Sequence, residues 1–455
     1  MSVVDLRRNR PSSMFFWPTP ERPVIARGEG IHVWDESGKR YIDGSSGPQT
    51  VNIGHGNRRV AEAAQAQMAK IAYAFRSHFR SEPAEQLADE LARMAPGDLD
   101  MAFFCSGGSE AVEAAIKLAR QHALARGEAE RYRIISRLPS YHGCTLGALS
   151  LTGDPAMSAP FAPMMQSMPK IPAPFCAYRR EGQSLDEAAL EFADALEAQI
   201  VAQGPQTVLA FIMEPVGGAA TGALTAPDVY YRRVREICDR YGVLLIFDEV
   251  MSGAGRTGKY LAAEHFGVLP DIVVLAKGLA SGYVPFGAIM APRRIVDVVN
   301  ASGGYNHGHT YSASPLACAI ARAVLAEHVE RDLIGNAARM GALMRAGLEQ
   351  LWETYEFIGE VRGKGLLLGF DLVADRRSGR PLPPDLNAHL LLGQAAYERG
   401  LIVYSRRVMN GRRGDNFLVS PPLILNESDV EEILDILGAS MREVAPTIRA
   451  AMAGA

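Results

Sequence analysis

Apolar and polar positions alternate along this chain in two rhythms, and the switch between them marks its organisation. From Asp100 to Lys277, short apolar runs are separated by longer stretches with helical spacing. The runs are Met101-Ala102-Phe103-Phe104-Cys105, Arg133-Ile134-Ile135-Ser136, Thr207 to Met213, Val243 to Phe247 and Ile272 to Ala276. Apolar residues on consecutive rather than alternate positions predict strands covered on both faces. Helices are predicted from Ser109 to Ala125, Leu185 to Gln203 and Pro227 to Tyr241; Ala111, Ala115, Leu118 and Ala119 form the buried stripe of the first. Strand alternating with helix predicts an α/β fold, a mostly parallel sheet with helices on both faces. Upstream, Ile31 to Asp35 and Gly38 to Asp43 read as a hairpin, Gly44 to Gly56 as a loop, and Asn57 to Ala72 and Ser81 to Met94 as helices. Pro155 to Arg179 reads as a long loop, Val284 to Met290 as a strand and Pro315 to Glu330 as a helix. Beyond Asp332 the texture changes. Helices at Leu333 to Thr354 and Leu386 to Arg399, with strands at Leu366 to Leu372, Leu401 to Tyr404 and Asn416 to Val419, predict a small α+β domain. A last helix follows Ser428, which has Glu431 three positions on, the spacing of a capping box.

Composition narrows the classes. The chain has 455 residues, 48% hydrophobic and 22% charged, with a net charge of −4. That is enough for two or three packed domains, and it argues against disorder and against nucleic acid as the main partner. The five cysteines are scattered without metal-ligand spacing, which fits free thiols in a reducing compartment. No apolar run reaches membrane-spanning length, and Met1 to Arg10 has no apolar core behind it, so the expectation is a cytoplasmic protein without signal peptide or membrane contact.

The chemistry gathers around two strand ends. The run Val243 to Phe247 ends in Asp248-Glu249, and the run Ile272 to Ala276 ends in Lys277-Gly278. Their separation is about one βαβ unit. If the strands are neighbours, an acid and an amine face one cleft at their carboxyl ends, where open α/β sheets bind ligands. A structural ion pair satisfies these two residues. So does pyridoxal phosphate: the amine forms an imine with the cofactor aldehyde, and the acid keeps the pyridine nitrogen protonated. Gly253-Ala254-Gly255-Arg256-Thr257-Gly258-Lys259 has the spacing of a nucleotide P-loop, but Tyr260 stands where a magnesium-binding hydroxyl is required, which disfavours nucleotide hydrolysis. Ser106-Gly107-Gly108-Ser109 leads from a strand into a helix and is a ready anion site.

Taken together these residues resemble the class III pyridoxal-phosphate aminotransferases of fold type I, over nearly the whole chain. Phe247-Asp248-Glu249-Val250, Gly255-Arg256-Thr257-Gly258 and Ala276-Lys277-Gly278 carry the resemblance most specifically. Ser106 to Ala111, Tyr141-His142-Gly143, Glu214-Pro215-Val216 and His309-Thr310-Tyr311-Ser312 fall in family order around them. The resemblance implies a large domain with a seven-stranded sheet and a small α+β domain formed by both chain ends, divided as 1–60, 61–325 and 326–455. It implies that Lys277 forms the imine and carries the proton, and that Asp248 pairs with the pyridine nitrogen. Val250 and Tyr141 would cover the ring faces, beside the flexible Gly143. Gly108 and Ser109 would bind the phosphate, Glu214 would support the cofactor, and Thr310 would reach the phosphate of a neighbouring subunit. The active unit would then be a homodimer with shared sites, with a tetramer as the alternative. His142, His307 and His309 read as structural hydrogen-bonding residues rather than catalysts or metal ligands.

The implied reaction is transfer of an amino group from an ω-amino acid or amine to a 2-oxo acid such as pyruvate, ping-pong through pyridoxamine phosphate. An aminomutase, racemase or decarboxylase would share every cofactor residue; a non-enzymatic cofactor-binding protein is disfavoured by the intact Lys277. Many relatives carry a glutamine where this chain has Met251, and an apolar residue there resembles the ω-amino acid and amine branch. Ser46-Gly47-Pro48-Gln49 lacks the aromatic of amine-accepting relatives, leaving Trp17 or Phe16 to wall the donor pocket. The acceptor carboxylate needs a cation; Arg406, Arg407, Arg412 and Arg413 are candidates in a predicted loop, Arg406 foremost.

Overall fold

The computed structural model describes residues 22–408 and 413–453. An antiparallel meander of β1 (Ile25–Glu29), β2 (His32–Asp35) and β3 (Arg40–Asp43) opens the described chain. The main sheet comprises β4 (Met101–Cys105), β5 (Arg133–Leu138), β6 (Lys170–Pro172), β7 (Val208–Met213), β8 (Leu244–Asp248), β9 (Ile272–Ala276) and β10 (Gly287–Ala291). Their spatial order is β4-β10-β9-β8-β7-β5-β6; β10 runs antiparallel to both β4 and β9, and the other pairings are parallel. The continuous apolar runs have their predicted meaning. In β8 and β9, Leu245, Phe247, Val273 and Leu275 enter one core, while Ile246, Ile272 and Val274 enter another on the opposite face. The period-2 alternation of side chains therefore needs apolar residues at every position.

The second layer uses both ends of the chain. β11 (Ile358–Lys364), β12 (Leu367–Asp375), β13 (Arg380–Pro381), β15 (Tyr404–Val408) and β16 (Arg413–Val419) form one sheet, and β14 (Leu401–Ile402) pairs parallel with β3 of the meander. One apolar core unites Ile31, Ile42 and Ile53 with Met344, Phe370, Phe417, Leu437 and Met441.

Several elements differ from the sequence expectation, each for a local reason. Within the predicted loop from Pro155 to Arg179 lie short helical turns and the edge strand β6, which pairs only with β5 and needs no long apolar run. The helix Arg293–Ala301 and the strand β11 had no predicted counterpart. Residues 44–56 hold a kinked turn at Ser46–Gln49 rather than a featureless loop. The last helix begins at Glu427, and Asn426, not Ser428, caps it: Asp429 N donates to Asn426 Oδ1 (3.1 Å) while Asn426 N donates to Asp429 Oδ2 (2.8 Å). Arg406 and Arg407 lie in β15, and Arg413 starts β16, where a loop was expected; Arg412, Trp17 and Phe16 fall outside the described residues.

Candidate active site

β8 and β9 are adjacent and parallel, with Ile246 opposite Ile272 and Asp248 opposite Val274. Their carboxyl ends therefore deliver Asp248 and Lys277 to one cavity of about 380 Å³. Gly108, Ser109, Tyr141, Gly143, Glu214 and Val250 line the same cavity. A small organic ligand fits a space of that size.

Lys277 has φ +47°, a strained conformation for a non-glycine residue at the strand end. Its buried amine is pushed down to about 8: burial disfavours the cation and Arg256 repels it, against the pull of Asp248 and Glu214. Asp248 is held from two sides. Its Oδ2 meets His142 Nδ1 at 2.8 Å, and its Oδ1 accepts from Val250 N at 3.1 Å. His142 is buried and lines the cavity, so its hydrogen bond orients the acid rather than touching solvent.

The glycine loop opens the helix Gly108–Ala125. Its N-cap, Gly107, offers no side chain, so the first N–H groups are unclaimed by a side-chain cap and face the cavity end of a positive macrodipole. Gly143 has no room for a side chain, and Gly108 has little. A Cβ at Gly143 (φ +131°) would lie 2.7 Å from Ser109 Oγ, and one at Gly108 would lie 3.2 Å from Val250 Cγ1. Glu214 Oε1 accepts from Gly218 N (2.9 Å), but Oε2 is buried without a partner, and burial raises the carboxyl above its ordinary range. Met251 packs beside it, placing an apolar side chain at the cavity edge.

Two predicted residues stand apart from this group. Thr310 is exposed, does not line the cavity, and accepts through its carbonyl from Tyr73 Oη (3.0 Å). Arg406 reaches Asp154 Oδ2 (2.9 Å), with its guanidinium 5.9 Å from the ring centre of Tyr141. It is one ring removed from the cavity. Sequence reasoning missed Thr50 and the segment Val284-Pro285-Phe286, which also line it. They come from a loop and a turn with no chemical signature. Among the described residues no cluster of His, Cys, Asp or Glu could hold a metal ion, and no helix is long and apolar enough to cross a membrane.

The model of the class-III aminotransferase family matches residues 18–441. The chain is a class III aminotransferase. It is 40% identical to an uncharacterized aminotransferase, YodT, of Bacillus subtilis, over 94% of this chain and 96% of that protein. It is 34% identical to gamma-aminobutyrate transaminase 1, mitochondrial, of Oryza sativa, over 92% of this chain and 81% of that one. Among solved structures, an (S)-enantioselective omega-transaminase from Thermomicrobium roseum shares 38% identity at a TM-score of 0.87, covering 98% of this aminotransferase and 95% of the other chain. Class III aminotransferases use pyridoxal phosphate and share the fold type I architecture, so the mixed sheet and the two-ended small domain are those of the family.

Proposed function

We propose that this aminotransferase binds pyridoxal phosphate in the cavity between Lys277 and Asp248 and moves an amino group from an ω-amino acid or amine to a 2-oxo acid such as pyruvate, in two half-reactions. The observation that carries the reading is the pairing itself: adjacent parallel strands bring a buried amine, pushed down to about 8, and an acid oriented by His142 to one cavity. The residues fit the cofactor: Gly143 leaves no room for a Cβ against Ser109, the uncapped helix N-terminus suits a phosphate, and the Glu214 oxygen lacks a partner. When bound, the cofactor supplies an aldehyde that takes up the amino group and a ring that accepts electrons.

The chain's own residues do the rest. Lys277 is the nucleophile toward that aldehyde and the base that moves the proton at the substrate carbon. Asp248, held by His142 and Val250 N, keeps a negative charge against the ring nitrogen. Backbone N–H groups at Gly108 and Ser109 bind the phosphate, Val250 and Tyr141 pack on the ring, and Glu214 supports it. Thr310 serves the neighbouring site of a homodimer; exposed Tyr73 and Tyr311 beside it, with exposed Phe75 and Phe79 in the segment that follows Tyr73, favour that assembly.

A donor screen tests the proposal. With pyruvate as acceptor, ω-amino acids and primary amines should yield alanine, and donor alone should bleach the visible absorption of the purified enzyme. Isomerised donor or released CO₂ without alanine would replace transfer by mutase or decarboxylase chemistry. Arg406 is the cation for the acceptor carboxylate, released from Asp154 when the acid enters. Arg406→Met should raise KM for the 2-oxo acid about 10- to 100-fold, the cost of one charge-assisted contact, and leave KM for a monoamine donor nearly unchanged. Steady-state kinetics with each substrate varied separately reads the difference; an unchanged oxo-acid KM would assign the carboxylate to another cation.

A further inference from the structure

The segment from Gly253 to Lys259 has phosphate-loop spacing, yet it binds protein instead. Arg256 is completely buried. Its Nη1 donates to the carbonyl oxygens of Ser420 (3.1 Å), Leu366 (3.4 Å) and Pro421; its Nη2 donates to Ser46 Oγ (3.2 Å) and Asn52 Oδ1 (2.7 Å). The first group of acceptors belongs to the C-terminal part of the chain, the second to the N-terminal part. All are neutral, and among the described residues no carboxylate makes an ion pair with this guanidinium. Burial pushes it down to about 9, with Asp43 the only acid opposing that from a distance. A buried cation without an ion pair costs stability that an apolar side chain of similar volume would not, so its presence calls for a gain elsewhere.

The gripped segment is strained and borders the cavity. Ser46 and Gln49, neither of them glycine, have φ of +52° and +60°. Thr50 lines the cavity. Asn52 Nδ2 donates to Ala254 O (2.8 Å), and the same atom would lie 2.3 Å from a Cβ at Gly278, the residue after Lys277. Asn52 thus touches both the arginine and the backbone behind the lysine.

We propose that Arg256 is a positioning residue: it clamps segment 46–52 against the C-terminal part of the chain, and so sets the cavity wall that donor and acceptor meet. The inference rests on the reading of this cavity as the amino-transfer site. A purely structural pin would lower stability and leave substrate recognition alone; a clamp on the wall changes KM more than kcat.

Three variants of the full chain separate these roles: Arg256→Met, Arg256→Lys and Asn52→Ala, which loosens only the N-terminal side. Hydrogen exchange is read over residues 44–53 and over the helix Gly108–Ala125, followed by cofactor uptake and kinetics. Amides in 44–53 should exchange about tenfold faster or more in Arg256→Met and Asn52→Ala, with the helix unchanged. Arg256→Lys keeps the charge but lacks the fork, and should fall between. Cofactor affinity should stay near the parent value, while KM for both substrates rises about tenfold and kcat falls less. Unaltered exchange in 44–53 overturns the clamp, and faster exchange with unchanged KM overturns its effect on recognition. If Arg256→Met does not fold, Asn52→Ala and Arg256→Lys decide both points by the same measurements. The exchange result needs no turnover: loosening in a parent chain that transfers no amino group would sink the proposed function and leave the clamp standing.

Discussion

Replacing Lys277 with alanine should lower amino transfer about 10⁴-fold or more, because in the proposed reaction one side chain supplies both the nucleophile and the proton carrier. Its burial makes it suited to both. An ordinary lysine near neutral pH is almost wholly protonated, whereas an amine pushed down to about 8 keeps a reactive neutral fraction. Cofactor capture by the apoprotein should therefore quicken as pH rises through about 8 and level off above it, and Lys277→Ala should show no such rise. Stopped-flow absorbance on apoprotein mixed with pyridoxal phosphate measures this directly. The same shift sets the sign of the stability change. The folded state disfavours the protonated amine, so the unfolded chain binds more protons between about pH 8 and 10.5 and the parent gains stability as pH rises through that window. Lys277→Ala should consequently be no less stable than the parent at pH 7, and any advantage should shrink above pH 8. A turnover near the parent's would remove Lys277 from the chemistry.

Asp248→Asn is the second large effect. The substitution keeps the shape, and its carbonyl can still accept from Val250 N, but the charge proposed to face the ring nitrogen is gone. Removing one preorganised electrostatic partner costs about 10²- to 10³-fold in turnover, with the cofactor still held through the glycine loop and Lys277. The partner on the other side matters too: His142 Nδ1 meets Asp248 Oδ2 at 2.8 Å, and an amide nitrogen there can meet it only as a donor. Single-turnover rates with the cofactor preloaded separate this loss from weakened binding. A loss confined to KM would show that Asp248 positions substrate instead of charging the ring.

Much of this site is legible in the chain because its parts are local. Asp248 and Lys277 end two apolar runs that had to be strands, and Gly108 and Ser109 open a helix whose first turn has no capping side chain. Edge and exposed elements were less legible. β6 pairs on one side only and carries no continuous apolar run, and the helix Arg293–Ala301 is nine residues long, too short for its buried Ile295 and Val299 to establish a helical period. The helix cap at Asn426 depends on two hydrogen bonds exchanged with Asp429, a geometry that the competing spacing of Ser428 and Glu431 cannot exclude in advance.

By itself the sequence determined the α/β layering and the family, and it pointed to Asp248 and Lys277 as the proposed acid and amine, since periodicity and motif order depend on neighbours a few positions apart. Only the tertiary structure decided which distant groups meet them. It put His142 on Asp248, tied Arg406 to Asp154, and wrapped Ser46, Asn52, Ser420 and Pro421 around Arg256. Those contacts join residues up to 252 positions apart, and their existence depends on how sheets, turns and chain ends pack, which no local pattern encodes.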